Sequence, residues 1–301
     1  MVRSQAPVTE RLRAWGVVGT VPRAVAGGIV AFALLYVLVI ANPAPELGGG
    51  DWRTTNFGSA IHDPGSFLLV LLDAVTFAAL LFIVASGFSL IFGLMRVVNM
   101  AHGSFYLLGG YIAYEVQQSL NPEGQGYSLQ PAQVSTWDWV LPLFVTVAVI
   151  AAFGLGVQQL LLRWNQGQDL RQALITIAVS VIVADQVIAH FPRHVPPGAP
   201  QFGGNAVSIA WPGWTARFVD LEIFGVEYSL ARLVMLALGV AVGITLYLWL
   251  YKTRTGMVIR AGVDDRQMTS ALGLNIQVVF AIAFLVGAAL AGFGAVVGTS
   301  Q

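Results

Sequence analysis

The chain has 301 residues, of which 56% are hydrophobic and 10% are charged, whereas soluble domains carry about 25% charged residues. This composition indicates an integral membrane protein. The 15 basic and 15 acidic residues balance, which leaves no basic surface suited to nucleic acid. The lack of cysteine excludes disulfides, thiol catalysis and cysteine-ligated metals.

Seven apolar stretches approach the roughly 17 to 25 residues that a helix needs to cross a bilayer. In chain order they are 24–41, 67–92, 104–117, 140–162, 170–189, 230–251 and 278–297, and the third is the shortest. The sequence therefore predicts an all-α, polytopic membrane helical bundle with about seven transmembrane helices.

The first stretch, 24–41, has two interpretations. Basic residues precede it and Val39-Ile40-Ala41 offers small residues near a cleavage point, as in a signal peptide. Its apolar run of about 18 residues, however, exceeds the roughly 7 to 15 of a signal peptide. We therefore expect an N-terminal extension, 1–66, with an uncleaved anchor helix and an external loop, followed by a core over 67–301.

The basic residues predict the orientation, because short loops rich in Lys and Arg stay in the cytoplasm. With the N-terminus inside, 11 of the 15 basic residues fall on the cytoplasmic side. The other four are Arg53, Arg193, Arg217 and Arg232. This bias predicts a cytoplasmic N-terminus and places two segments rich in Gly, Pro and Trp, 42–66 and 191–229, outside as loops.

Enzyme motifs are absent from the sequence. It has no GxxxxGK[ST] phosphate loop, and its one lysine, Lys252, follows Tyr251 rather than a glycine, so the subunit cannot hydrolyse ATP alone. It has neither a His-Glu-x-x-His zinc helix nor a Gly-x-Ser-x-Gly nucleophile elbow. We expect no catalytic residues, no metal site and no cofactor.

A polar break around Asn99, His102 and Gly103 separates the second and third apolar stretches. Irregular backbone at membrane depth is tolerated only beside protein or a water-filled cavity, and such breaks recur where transporters handle substrate. These three residues are therefore candidates for the translocation path. A buried hydrogen-bond network that holds a broken helix is an equally good explanation of Asn99 and His102.

Three acids, Asp73, Glu115 and Asp185, fall inside predicted spans, and intramembrane acids are costly enough to be functional candidates. In the predicted topology they lie in the outer half, where they could meet a substrate ammonium or line a wet vestibule. Alternatively, they lie near helix ends and reach interfacial water.

The longest predicted cytoplasmic loop, 252–275, contains a short helix between two turns. Asp264 or Asp265 can accept hydrogen bonds from the first turn of this helix, and Gly273 can adopt the left-handed conformation after its last turn. The segment is either a solvated connector or a coupling helix that docks into a partner protein.

Two of these segments together resemble the membrane-spanning permease of branched-chain amino acid ABC importers, the LivH-like type. The first is Asn99-Met100-Ala101-His102-Gly103 with Gly109-Gly110-Tyr111. The second runs from Thr255-Gly256 through Arg260-Ala261 to Ala271-Leu272-Gly273-Leu274-Asn275. Residues 85–93 and 287–292 strengthen the resemblance, which covers about 68–301.

This resemblance implies a permease core that forms half of the pore of an importer in the bacterial inner (plasma) membrane. The implied partners are a paralogous permease, two cytoplasmic ABC ATPase subunits and a periplasmic or extracellular solute-binding protein. The implied coupling residues are Gly256, Arg260, Asp264, Asp265, Ala271 and Gly273. Since the family usually continues through further membrane helices, we expect either a C-terminally incomplete core or a short homologue.

The expected solute is small and polar, in the first place a branched-chain amino acid, moved inward with ATP hydrolysed by the partner subunits. Similar motifs occur in permeases for urea or short-chain amides. The absence of ATPase motifs is also compatible with two other classes, a self-sufficient channel or secondary transporter and a non-transporting scaffold. Gly287, Gly292, Gly294 and Gly298 would let helix backbones approach closely, either to slide or to pack statically.

Overall fold

The computed structural model describes Gly28 and residues 64–95, 99–121, 134–165, 167–190, 208–220, 226–273 and 275–300. The chain forms two compact units, Met1–Leu71 with Leu221–Val226, and Leu72–Asp220 with Glu227–Gln301. In the first unit the described part comprises Gly28, the start of the first long helix and Val226. The contacts below belong to the second unit.

The described helices are α1 (Pro64–Met95), α2 (His102–Leu120), α3 (Thr136–Val157), α4 (Asp169–His190), α5 (Leu230–Lys252), α6 (Arg254–Asp264), α7 (Arg266–Ala271) and α8 (Ile276–Thr299). α3 continues through a π-helical turn, Gln158–Leu162, and a 3-10 turn, Arg163–Asn165. Between α4 and α5 lie a 3-10 turn, Gly213–Ala216, and two short strands, β1 (Phe218–Asp220) and β2 (Glu227–Ser229). The strands pair antiparallel, with Val219 opposite Tyr228.

Five of the described helices are long and apolar enough to cross a membrane: α1, α3 with its two extra turns, α4, α5 and α8. They confirm the prediction of an all-α polytopic membrane protein. α2 corresponds to the short third stretch but is not among the five, because His102, Glu115 and Gln117 lower its hydropathy. The stretch 24–41 lies outside the described residues except for Gly28, so the predicted number of seven is not confirmed.

α8 is the central helix of the described bundle. In its most apolar stretch 56% of the residues are buried, against 6% in α5, which is therefore peripheral. α8 packs against α2 and α3, and the Phe284 ring meets the Phe105 ring edge-on with centroids 6.2 Å apart. Both phenylalanines are fully buried, which places the main core where these three helices meet.

Glycines allow α8 to approach its neighbours closely. A methyl group added at Gly87 of α1 would lie 2.6 Å from the Gly287 carbonyl oxygen, and one added at Gly109 of α2 would lie 3.3 Å from Gly292 Cα. The distance at Gly87 is too short for any side chain and the one at Gly109 leaves little room for one, so the helix backbones approach closely at both glycines. Close approach of helix backbones is confirmed at Gly287 and Gly292, whereas Gly294 and Gly298 pack against the side chains of Val84 and Tyr106. Sliding of the helices stays a prediction.

A short segment, 208–216, packs against the ends of α2 and α8 and the start of α3, and we call it the cap. The Gln117 side chain donates to the Ala210 carbonyl at 3.0 Å and accepts the Ala210 N–H at 2.9 Å. The Trp211 indole donates to the Ser300 carbonyl at 2.7 Å and stacks on Trp139. This end of the bundle is called the Ser300 end, and the opposite end, where α3 finishes, the Arg163 end.

Candidate functional site

The polar break forms the start of α2. The Asn99 side-chain oxygen accepts the Ala101 N–H at 3.1 Å, and the Asn99 carbonyl accepts the His102 N–H at 3.2 Å. The Met100 N–H donates to Thr176 Oγ1 of α4 at 3.2 Å. These N–H groups precede the helical hydrogen bonds and need external partners. Protein atoms thus satisfy the N–H groups of Met100, Ala101 and His102.

His102 joins the start of α2 to α1. Its Nε2 lies 3.1 Å from the Val84 carbonyl oxygen and donates to it, because a carbonyl can only accept. In the neutral ring Nδ1 is then an acceptor. Among the described residues neither His102 Nδ1 nor Asn99 Nδ2 has a partner, although both side chains are buried. The site thus offers one unused acceptor and one unused donor.

This site lies at membrane depth. Val84 is nine residues before the end of the apolar span Phe67–Gly93 of α1, which at a rise of about 1.5 Å per residue is roughly 13 Å. The start of α2 therefore lies inside the membrane-spanning layer, as expected for a broken helix.

Gly103 follows His102 in the chain but, unlike Asn99 and His102, is not buried. It is exposed, and a methyl group added to it would meet no described atom within 4 Å. The next residue, Ser104, faces inward, with its hydroxyl 2.6 Å from that of Ser180 in α4. Of the three path candidates the structure buries two and exposes the third on the surface of the subunit.

The three acids do not form one site. Asp73 of α1 forms an ion pair with Arg232 at the start of α5, next to the Tyr228 hydroxyl, which lies 3.0 Å from Thr76 Oγ1. Burial raises the pKa of the Tyr228 phenol. Glu115 and Asp185 are exposed on α2 and α4. Asp73 already has a cationic partner, and the other two lie on outer surfaces of the subunit.

The predicted coupling segment contains two helices rather than one. As expected, Asp265 caps α7 by accepting the Met268 N–H at 3.0 Å, and Gly273 follows α7 with a φ of 81°. The additional helix is α6, which begins because Thr253 Oγ1 accepts the Gly256 N–H at 3.1 Å. The sequence signal that was missed is Thr253, a residue type favoured at the N-cap, three residues before Gly256.

α6 is held against α5 and α8. Ile259 of α6 is buried with Phe280 and Ala283 of α8, and the Arg260 guanidinium lies 4.6 Å from the centre of the Tyr251 ring. Gly256 is buried, and a methyl group there would collide with the carbonyl of Leu250. α6 is therefore packed directly against both α5 and α8.

The remaining coupling candidates, Asp264, Asp265, Ala271 and Gly273, are exposed. The same segment exposes three large apolar side chains outside the membrane spans: Met257 at 62%, Met268 at 63% and Leu272 at 75%. Large apolar side chains that are exposed outside the membrane spans are typical of a protein interaction site. The α6–α7 segment, 254–273, therefore combines buried contacts with α5 and α8 and exposed large apolar side chains.

Sequence reasoning missed Gln158, which opens the π-helical turn of α3. Its side chain is fully buried, and neither amide atom has a partner among the described residues. π-Helical turns are rare and are frequent at functional sites. The one local signal is the amide pair Gln158-Gln159 inside an apolar run, which marks the position but does not specify a π-helical turn. Within the described residues no group of three or more His, Asp or Glu side chains could hold a metal ion.

Comparisons with known proteins agree with this architecture. The profile of the family described as branched-chain amino acid transport system / permease component matches residues 70–301. The chain is 25% identical to the high-affinity branched-chain amino acid transport system permease protein BraD of Pseudomonas aeruginosa, over 76% of this chain and 70% of that protein. It is 27% identical to the corresponding permease protein LivH of Escherichia coli, over 75% of this chain and 68% of that protein. No solved structure is significantly similar to the chain.

Proposed function

Since the chain belongs to the branched-chain amino acid transport system permease family, we propose that it is the membrane-spanning permease subunit of an ABC importer. In this proposal it moves branched-chain amino acids inward, and partner subunits hydrolyse the ATP. The resemblance to BraD and LivH, which are named as high-affinity branched-chain amino acid permeases, supports this choice of solute.

The observation that carries the proposal is the α6–α7 segment. Besides charged side chains such as Arg254 and Asp264, which a solvated connector would also expose, this segment exposes Met257, Met268 and Leu272 beyond the spanning helices. We assign this surface to the ATPase subunits. α6 then transmits their movement through Gly256 and Ile259, which pack against α5 and α8.

The distribution of basic residues supports an orientation with the N-terminus and the Arg163 end in the cytoplasm. The α6–α7 segment carries Arg254, Arg260 and Arg266, as a cytoplasmic segment should. The Ser300 end then faces the outside, where a solute-binding protein would deliver the amino acid, and a paralogous permease completes the pore.

We place the translocation path beside the start of α2. Asn99 Nδ2 and His102 Nδ1 are a donor and an acceptor without described partners, which suits brief hydrogen bonds to a polar solute. Exposed Gly103 faces the paralogous subunit in this proposal, and Glu115 and Asp185 lie nearer the outer entrance. Asp73 stabilises the start of α5 through Arg232 rather than binding the ammonium group.

The test is uptake by the transporter assembled with its ATPases, second permease and binding protein in proteoliposomes. We expect uptake of leucine, isoleucine and valine that requires both ATP and the binding protein. Uptake of urea or acetamide in preference to leucine would contradict the proposed solute. Leucine flux without ATP would instead indicate a channel or secondary transporter.

A further inference from the structure

An apolar groove runs between α3 and α8 at the Arg163 end. Its residues come from the end of α3 with its extra turns and from the start of α8: Leu155, Gln159 and Arg163 on one side, and chiefly Gln277, Ala281 and Leu285 on the other. We propose that this groove binds one anionic phospholipid, with the phosphate at Arg163 and an acyl chain between Leu155 and Leu285.

The lining of the groove changes along its length from polar side chains at one end to apolar side chains at the other, as a phospholipid changes from headgroup to acyl chain. α3 and α8 run in opposite directions. Arg163 and Gln277 therefore lie at the rim of the groove, at the Arg163 end, and Leu155 and Leu285 lie at its deep end, toward the middle of the membrane. Each wall covers nine residues, whose eight steps span about 12 Å at the rise of an α-helix. A phospholipid needs this arrangement, with polar partners at headgroup depth and apolar walls below them. A docked protein helix would need no such gradient.

The rim attracts an anion. Arg163 is exposed, and among the described residues its guanidinium contacts Gln159 Oε1 at 3.4 Å and has no acidic partner. Arg232, by contrast, is paired with Asp73. The positive end of the α8 dipole also lies at this rim, because α8 begins at Ile276. A negatively charged headgroup is therefore favoured over a zwitterionic one.

The side chains beside the groove are those of a lipid-facing surface. Leu160 is 74% exposed and Trp164 is 80% exposed on the same end of α3. Tryptophan is enriched where membrane helices meet the headgroup layer. The groove thus opens toward lipid, and under the proposed orientation the lipid belongs to the cytoplasmic leaflet. The inference does not depend on the identity of the transported solute.

Native mass spectrometry of the purified full-length chain, with added phosphatidylglycerol or phosphatidylcholine, tests the proposal. We expect one phosphatidylglycerol to be retained per chain in preference to phosphatidylcholine. Arg163→Gln should weaken phosphatidylglycerol binding about tenfold, the scale of one hydrogen bond to a charged group, and Arg163→Lys should restore most of it. Ala281→Phe, which fills the groove, should reduce the binding of both lipids.

Arg171→Gln is the matched control, because Arg171 is exposed at the same end but lies outside the groove. Equal retention of both lipids by the unmodified chain would overturn the proposal. So would an equal loss in Arg163→Gln and Arg171→Gln, which would indicate general surface attraction.

A protein occupant is tested in whole membranes with Ala281→Cys, since the chain has no other cysteine. We expect this thiol to react with a lipid-soluble maleimide without forming crosslinks to another chain. Efficient thiol crosslinking to a neighbouring subunit would show that protein fills the groove, and would overturn the lipid proposal.

Discussion

Replacing Asn99 separates two roles that its side chain has at the start of α2. The oxygen accepts the Ala101 N–H at 3.1 Å, whereas Nδ2 has no partner among the described residues. A serine keeps an oxygen that can accept the Ala101 N–H in the turn before α2 but removes the amide donor, and an alanine removes both. Asn99→Ser therefore tests the role of Nδ2 as a donor, and comparison with Asn99→Ala tests the hydrogen bond from the Ala101 N–H to the side-chain oxygen.

The structure predicts different magnitudes for the two variants. Asn99→Ala leaves the Ala101 N–H without its partner, and because Ala101 is buried this should cost about 1 to 3 kcal/mol. Asn99→Ser should be closer to neutral, because Nδ2 makes no described hydrogen bond. If Nδ2 binds solute during passage, its loss removes about 1 kcal/mol, or roughly fivefold in transport rate.

Both quantities can be measured on the same preparation of the assembled transporter. Thermal unfolding in detergent measures the contribution of the hydrogen bond from the Ala101 N–H to stability. ATP-driven leucine uptake per assembled complex in proteoliposomes measures the contribution of the Nδ2 donor to transport. We expect Asn99→Ser to unfold near the unmodified protein while its uptake falls. If Asn99→Ser is as unstable as Asn99→Ala and its uptake per complex is unchanged, the role of Asn99 is purely structural and the proposed path is refuted.

Three further predictions concern packing and orientation. Gly287→Ala should destabilise the bundle by about 1 to 3 kcal/mol because its methyl group meets α1, whereas Gly103→Ala should have little effect, and thermal unfolding compares the two. Gln117→Leu should lower the unfolding temperature, since it removes both hydrogen bonds to the cap and leaves buried backbone groups unpaired at about 1 to 3 kcal/mol each. With single cysteines, an impermeant thiol reagent added to intact cells should label Ser135→Cys but not Ser270→Cys, and the reverse would invert the topology.

The sequence predicted the elements whose signals are local. The five long apolar spans follow from composition alone. The α7 cap at Asp265 and the left-handed Gly273 follow from side chains within the same turn or the next. The additional helix α6 was missed because its cap, Thr253, looked like part of a polar turn.

The contacts that distinguish the candidate site from ordinary membrane helices could not be predicted, because they join distant residues. Asp73 and Arg232 are 159 positions apart, and the Trp211 indole donates to a carbonyl 89 positions away. The same holds for the bond from His102 to Val84. Periodicity identifies a helix and its apolar face, but the partner that satisfies each buried polar group is set by tertiary packing.

The central claim is that the α6–α7 segment couples this permease to ATPase subunits, and solute-stimulated ATP hydrolysis by the assembled transporter tests it most directly. Leu272→Asp places a charge on the proposed contact. Leu170→Asp is the matched control, because Leu170 is 77% exposed and Leu272 is 75% exposed, but Leu170 lies on α4. We predict that Leu272→Asp abolishes leucine-stimulated hydrolysis while Leu170→Asp retains it and both variants insert normally. Unchanged stimulation in Leu272→Asp would contradict the account.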